Sequence, residues 1–270
     1  MNKSMKLSAG EKKVGIRRKV YELENKGILC RVDIRNGVVD DYQRNKTKSH
    51  INNITTTYNE RAVKLPVMSY RGGKLWMPDG QHTVAMLKAK GVGVYDVIVH
   101  FGLTKAQEAK LFVNHNEHSK RMSGWNLFKA KLIAEYEDVM DMKAMIDKRK
   151  LTTPIEVKNC IADLRTTAPL NHAYSKGTVH FKRFLRILDK SFRVDNHPDK
   201  PLQEEARSTE FQRGLNVYMI KNKKLTATNI IDRFSGYTAK DIQNKARDYS
   251  TTARADTKQM FQAMTYIANG

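Results

Sequence analysis

The sequence predicts an α/β (α+β) N-terminal domain followed by a mostly α-helical C-terminal region. Before residue 123, short β-branched runs alternate with segments of helical periodicity, and after it nearly every segment is helical in pattern. With 270 residues, the chain is long enough for one large domain or two modest ones. We predict a basic N-terminal helix over 1–27, an α/β domain over 28–122 and a basic helical region over 123–270.

The strand predictions for the α/β domain come from alternation and turn residues. Residues 28–34 alternate between apolar and polar side chains, as in a half-buried strand. Two further strands, 65–70 and 74–77, flank the Arg71-Gly72-Gly73 turn, and Ser49 is placed to cap a helix carrying Ile51, Ile54 and Tyr58 on one face. The first thirty residues hold eight Lys or Arg against three Glu, and their predicted helix stops at Gly27.

A strand-to-helix junction follows at residues 78–91. The strand ends, Asp79-Gly80 turns, and a helix begins at residues 81–83 and stops at Gly91. A buried strand over 94–99 completes a βαβ-like unit, and Thr104 with Gln107 predicts a capping box for the next helix.

Beyond Gly124 the periodicity is helical. One long amphipathic helix is predicted through Trp125, Phe128, Leu132, Tyr136 and Val139. A second, over 178–192, puts Phe181, Phe184, Leu185 and Leu188 on one face and the candidate DNA-binding residues Lys182, Arg183, Arg186 and Lys190 on the remainder. Two helices around a Ser235-Gly236-Tyr237 break, near 225–249, have the spacing of a helix-turn-helix.

Composition narrows the function classes. Lys and Arg total 49 against 28 Asp and Glu, a net charge of +21, which favours a polyanion such as DNA as partner because bound phosphates release counterions. No apolar run reaches the ~18–20 residues of a membrane span, and no secretory pattern opens the chain. Cys30 and Cys160 form neither a disulfide framework nor a zinc pattern. We expect a cytoplasmic protein that does not bind membranes.

The junction at Asp79, Gly80, Gln81, His82 and Thr83 is the candidate functional site. A helix N-terminus presents N–H donors and the positive end of the helix dipole, which favour a phosphate. Gly80 lets a ligand approach the backbone, and His82 is the candidate for proton transfer.

This segment resembles the second motif of the ParB/sulfiredoxin-like superfamily, which reads Asp-Gly-Gln-His-Arg in many phage and mobile-element members. Upstream, Tyr42-Gln43-Arg44 is similar to the family's first motif. Downstream, residues 103–112 and then Asn114-His115-Asn116 are similar to its third, and the resemblance covers roughly 28–122. It implies a nucleoside triphosphate, with Mg²⁺ as a possible companion, held between the Gly80 helix and Asn116, and often a homodimer.

Two departures from the family pattern matter. Thr83 stands where the family usually has Arg, a neutral phosphate partner in place of a charged one, so Arg44, Arg71 and Arg121 are candidate substitutes. Gln81 stands where sulfiredoxin carries its reactive cysteine, which argues against sulfinic-acid reduction.

Three functions stay open. The first is a DNA-binding ParB-like protein of phage or plasmid type, regulated by a nucleotide. The second is an enzyme of phosphate chemistry, a nuclease or phosphotransferase, using His82 as general acid or base; His115 and His118, at i and i+3, are weak metal-ligand candidates for it. The third is a non-catalytic regulator or antagonist of a host protein.

Overall fold

Residues of the N-terminal half build one mixed sheet, and residues of the C-terminal half build helices. The computed structural model describes residues 6–23, 27–43, 51, 55–56, 63–116, 123–157, 162–252 and 255–269. The chain divides into two compact units, Met1–Tyr136 and Glu137–Gly270. The helices in these ranges are too short and too polar for any of them to traverse a lipid bilayer.

Six strands form the sheet: β1 (Ile16–Leu23), β2 (Gly27–Asp33), β3 (Gly37–Val38), β4 (Val67–Arg71), β5 (Lys74–Asp79) and β6 (Val94–Phe101). Their order across the sheet is β1-β2-β6-β4-β5-β3. The pairs β4/β6 and β3/β5 are parallel and the other neighbours are antiparallel. Cys30 lies opposite Val97 at the buried centre of the sheet. The predicted strands over 28–34, 65–70, 74–77 and 94–99 are confirmed, with ends shifted by a few residues.

The predicted N-terminal helix over 1–27 is wrong. A five-residue helix, α1 (Ala9–Lys13), is closed by a Ser8–Glu11 capping box, and the chain then turns at Gly15, whose φ is +97°. The following residues form β1, which pairs with β2. These residues form a strand because they pair with β2 and bury Ile16 in the sheet core. Such pairing outweighs the weak secondary-structure preference of single residues.

The βαβ-like prediction for residues 74–99 is also corrected. The two-glycine turn between β4 and β5 is tight, so β5 returns directly alongside β4. As a result β4 lies between β5 and β6, and the helix connects two strands that are not neighbours and run in opposite directions.

After α1, the described part of the first unit contains the helices α2 (Gln81–Ala89), α3 (Lys105–Asn116) and α4 (Gly124–Ile133). Val84 and Leu87 of α2 pack into the sheet core. The predicted capping box at the start of α3 is confirmed, since Thr104 N donates to Gln107 Oε1 at 2.9 Å and Gln107 N donates to Thr104 Oγ1 at 3.2 Å. Of the predicted helix near residues 49–58, Ile51, Thr55 and Thr56 are helical, whereas Ser49, Ile54 and Tyr58 lie outside the described residues.

The second unit contains seven α-helices in its described part: α5 (Glu137–Asp147), α6 (Ala168–Tyr174), α7 (Thr178–Ser191), α8 (Thr209–Lys221), α9 (Ala227–Arg233), α10 (Ala239–Asp248) and α11 (Thr257–Asn269). The predicted α7 helix is confirmed, and Phe181, Phe184 and Leu188 are fully buried on its apolar face. The helices near 225–249 are present as α9 and α10, each begun by a threonine capping box. Their role as a helix-turn-helix stays a prediction.

The single long helix predicted through residues 125–139 is wrong. Helix α4 ends at Ile133, and Glu135 adopts a left-handed conformation with φ of +59°. The backbone N–H of Tyr136 donates to the carbonyl of Lys131 at 3.0 Å, which closes the last turn. This closure separates α4 from α5, and the boundary between the two units falls directly after Tyr136.

Arg71 ties the sheet of the first unit to helix α3. Its Nε and Nη2 donate to the two carboxylate oxygens of Glu108 at 3.0 Å each, and Nη2 also donates to Asp40 at 3.1 Å. The guanidinium lies 4.6 Å from the ring centroid of Trp76. Because the Glu108 side chain is wholly buried, its charge is compensated chiefly by this arginine.

We therefore expect Arg71→Met to lower the free energy of unfolding by about 3 kcal/mol, because it leaves a buried carboxylate without its counter-charge. Urea denaturation measures the change. Arg31→Gln is the matched control, since Arg31 pairs with Asp96 on the surface and its loss should cost less than about 1 kcal/mol. Equal losses for the two variants would contradict the structural role of Arg71.

Candidate functional site

The junction between β5 and α2 is a sharp left-handed turn at Gly80. Its φ and ψ are 88° and 15°, and a Cβ atom added there would lie 2.8 Å from both Cα and Cβ of Pro66. The Gly80 N–H donates to Oδ1 of Asp79 at 2.8 Å. Glycine is thus required twice at this position, by its backbone conformation and by the contact with Pro66.

A pocket of about 160 Å³ opens at this turn. Three segments line it: Gln43 after β3, the β5–α2 junction, and the α3 residues Phe112 and Asn116. The junction contributes Pro78, Asp79, Gly80, Gln81, His82 and Thr83. The fold therefore brings the three motifs of the sequence together around one cavity.

Two side-chain amides that line the pocket donate hydrogen bonds to backbone carbonyls. The Gln43 side-chain amide donates to the carbonyl of Met77, and Asn116 Nδ2 donates to the carbonyl of Phe112 at 2.9 Å. The Gln43 Oε1 atom is buried without a hydrogen-bond partner among the described residues. These bonds fix Gln43 against β5 and Asn116 against its own helix.

Backbone donors supply the positive character of the described pocket lining. Gly80 has no side chain to cap the first turn of α2, so no side-chain cap bonds form there, and the positive end of the helix dipole faces the same turn. The described lining contains one carboxylate, Asp79, and neither Lys nor Arg.

Of the three arginines predicted as phosphate ligands, the structure describes Arg71. The prediction that Arg71 binds phosphate in this pocket is wrong. Arg71 does not line the pocket, because Glu108 and Asp40 hold its guanidinium elsewhere. The same hydrogen bond with Glu108 raises the pKa of Arg71. Arg44 and Arg121 lie outside the described residues.

Asp79 also contacts a histidine from α3. Its Oδ2 lies 3.0 Å from Nδ1 of His115, while its Oδ1 accepts from Gly80. A carboxylate beside one ring nitrogen fixes the orientation of an imidazole. This pair does not support the predicted metal site. His118 lies outside the described residues, and no cluster of three potential metal ligands occurs within them.

The DNA-binding candidates lie on α7 in the second unit. Lys182, Arg186 and Lys190 are exposed and follow one another at intervals of four residues, so they share one helix face. Arg183 does not share this exposed face. Its side chain is half-buried, and its Nη2 donates to the carbonyl of Asn222 at 3.3 Å. Burial lowers the pKa of its guanidinium.

Sequence reasoning missed Gln43 as a pocket residue, although the signal was available in the Tyr42-Gln43-Arg44 motif. Phe112 was also missed, because a phenylalanine at helical spacing is typical of a core. Cys30 is buried in the sheet, and this burial raises its thiol pKa to about 11, so it is unsuited to act as a nucleophile.

The solved structures that resemble the chain include two of the C-terminally truncated chromosome-partitioning protein ParB from Caulobacter crescentus. The one complexed to the centromeric parS site has a TM-score of 0.38 and 10% identity, covering 87% of this chain and 98% of that one. The one complexed with CTP-gamma-S has a TM-score of 0.28 and 12% identity, covering 75% and 91%.

No curated protein matches the sequence. A family model described as a family of unknown function, DUF6551, matches residues 39–184, which include the whole β5–α2 junction, helix α3 and the first half of α7. Since this match spans more than half of the 270 residues, the chain belongs to the DUF6551 family.

Proposed function

We propose that this is a ParB-like DNA-binding protein in which the Gly80 pocket holds the phosphates of a nucleotide. The convergence of Gln43, the Asp79–Thr83 turn and Asn116 on one cavity carries the proposal. These residues are the three segments in which the sequence resembles the ParB/sulfiredoxin-like superfamily.

The size and chemistry of the pocket define which part of a nucleotide it would take. Ligand pockets for whole small molecules measure about 300–1,000 Å³, so a cavity of about 160 Å³ suits one or two phosphate groups, with the nucleoside outside. Backbone N–H groups in the first turn of α2 and the hydroxyl of Thr83 would donate to phosphate oxygens. Mg²⁺ bound with the triphosphate would offset the negative charge of Asp79.

DNA is the proposed partner of the second unit. The net charge of +21 over the whole chain favours a polyanion. In the second unit, the exposed face of α7 formed by Lys182, Arg186 and Lys190 is a row of cations suited to phosphates. Binding to duplex DNA, regulation by the nucleotide, homodimerisation and an origin in a phage or plasmid belong to this proposal.

A second candidate function is phosphate chemistry at the same pocket. The observation that favours it is the Asp79–His115 pair, in which the carboxylate contacts one ring nitrogen and leaves the other for proton transfer. His82 lines the pocket and is the alternative acid or base.

Thr83→Val should weaken nucleotide binding by about tenfold or more, because it removes a hydroxyl donor to a charged phosphate and keeps the side-chain shape. Isothermal titration with each nucleoside triphosphate and Mg²⁺ measures it. Thr178→Val is the control, since Thr178 also lies in the first turn of a helix whose N-cap is a positive-φ glycine without a side-chain cap bond, but it belongs to α7. The pocket proposal fails if no nucleoside triphosphate binds the wild-type protein, or if both variants bind like it.

Replacing Lys182, Arg186 and Lys190 together by Gln should weaken binding to duplex DNA and reduce the steepness of its salt dependence by up to about 3 in log–log slope. Fluorescence anisotropy over a range of salt concentrations measures both. A variant with Gln at Lys12, Lys13 and Lys90, three exposed residues of the first unit, loses the same net charge. If this control loses as much affinity, α7 is not the contact surface.

Nucleotide hydrolysis distinguishes the second candidate function. If the pair is catalytic, His115→Ala should abolish phosphate release and leave nucleotide affinity within about threefold, because the imidazole lies outside the described pocket lining. The measurement is phosphate release under saturating nucleotide and Mg²⁺, with His197→Ala, an exposed histidine of the second unit, as control. Absence of hydrolysis in the wild-type protein would exclude nucleotide hydrolysis at this pocket and leave the binding proposal intact.

A further inference from the structure

Aromatic rings and lysines from α8, α10 and α11 lie together on the surface of the second unit. A pocket of about 400 Å³ is lined by Tyr249, Phe261, Tyr266 and neighbouring polar residues of α11. A second pocket, of about 430 Å³, shares Phe261 and adds Lys221 and Lys258. We call these five residues, together with Lys245, the aromatic–lysine surface.

Each ring of this surface has an ammonium group over it. Lys245 Nζ lies 4.3 Å from the ring centroid of Tyr266 and 5.6 Å from that of Tyr249, and Lys221 Nζ lies 4.5 Å from that of Phe261. The two tyrosines are 56% and 39% exposed, respectively. The two tyrosine rings therefore reach solvent with an ammonium group beside them.

The core of the unit does not need these rings. Helix α11 packs through a separate face, formed by Met260, Ala263, Met264 and Ile267, and all four are buried. Gly214 of α8 provides close contact there, because a Cβ atom added to it would lie 2.5 Å from Cβ of Met260. The exposed tyrosines are thus left for a ligand.

The carboxylates near the surface are engaged. Asp248 pairs with Lys245 at 3.3 Å, and Asp256 accepts the backbone N–H groups of Lys258 and Gln259 at 2.7 and 3.0 Å. Among the described ion pairs, none involves Lys221 or Lys258. The surface keeps cations available for an anionic ligand.

We propose that the aromatic–lysine surface binds single-stranded nucleic acid, with bases stacked on Tyr249, Phe261 and Tyr266 and phosphates on the lysines. Unpaired bases expose flat faces that a duplex hides, and stacking on aromatic side chains beside a basic path is how strands are bound without sequence preference. Residues Thr257 to Asn269 extend over about 18 Å of helix, enough for a few nucleotides.

This inference is independent of the Gly80 pocket and of the α7 cation row. It concerns a different ligand form, an unpaired strand, and different residues. Loss of duplex binding on altering α7 and loss of strand binding on altering Tyr249 and Tyr266 are consequently separate results.

The test is fluorescence anisotropy of the full chain with labelled oligothymidylate, oligouridylate of the same length and a matched duplex. The double variant Tyr249→Ala/Tyr266→Ala should raise the Kd for single strands at least about tenfold and leave the Kd for the duplex within about twofold. The double variant with Phe at both positions keeps the rings and should bind like the wild-type chain. The two single strands show whether DNA, RNA or both are bound.

Tyr237→Ala is the matched control, because Tyr237 is 42% exposed but lies in the turn between α9 and α10. It should leave strand affinity unchanged, and thermal melting should show that all variants are folded. Failure of the wild-type chain to bind either strand overturns the proposal. So does an equal loss in the Tyr237 control, or an equal loss for strand and duplex.

Discussion

The contact between Gly80 and Pro66 is the constraint on which the candidate pocket depends. With only a hydrogen atom facing Pro66, the chain can leave β5 in a left-handed conformation and begin α2 at the next residue. The same turn holds Asp79 in place, since its carboxylate accepts from the Gly80 N–H. A larger residue would push the helix start away from the sheet and separate it from Gln43 and Asn116, which lie on other elements.

Cations in this chain have two distinct uses. Some arginines are structural: Arg71 joins β4 to α3 through a buried carboxylate, and Arg193, 2% exposed, donates to Asp189 at 2.7 Å and to the carbonyl of Arg149 at 2.6 Å. Other cations are exposed in rows, as on α7. A net charge alone does not separate these uses, because only the folded chain shows which cations face a carboxylate.

Local signals explain the parts of the fold that the sequence could predict. Alternation predicted β2, the glycine pair predicted the β4–β5 turn, and the apolar spacing around Phe181 predicted α7. The failures share a cause, which is that distant pairing or one residue's conformation decided the outcome. β1 is a strand because β2 is beside it, and the α4 helix ends because Glu135 is left-handed. Neither cause is visible in a local pattern.

The candidate site, like the fold, could be predicted only in part. The turn itself could be predicted, because Asp-Gly after a strand and before a helix has few conformations available. The absence of Arg71 from the described pocket lining could not be predicted. It follows from the burial of Glu108, a residue 37 positions away in sequence. Once Arg71 is committed to α3, the described pocket lining offers an anion only backbone N–H groups and side chains other than Lys and Arg. Such donors would hold an anion by geometry more than by charge.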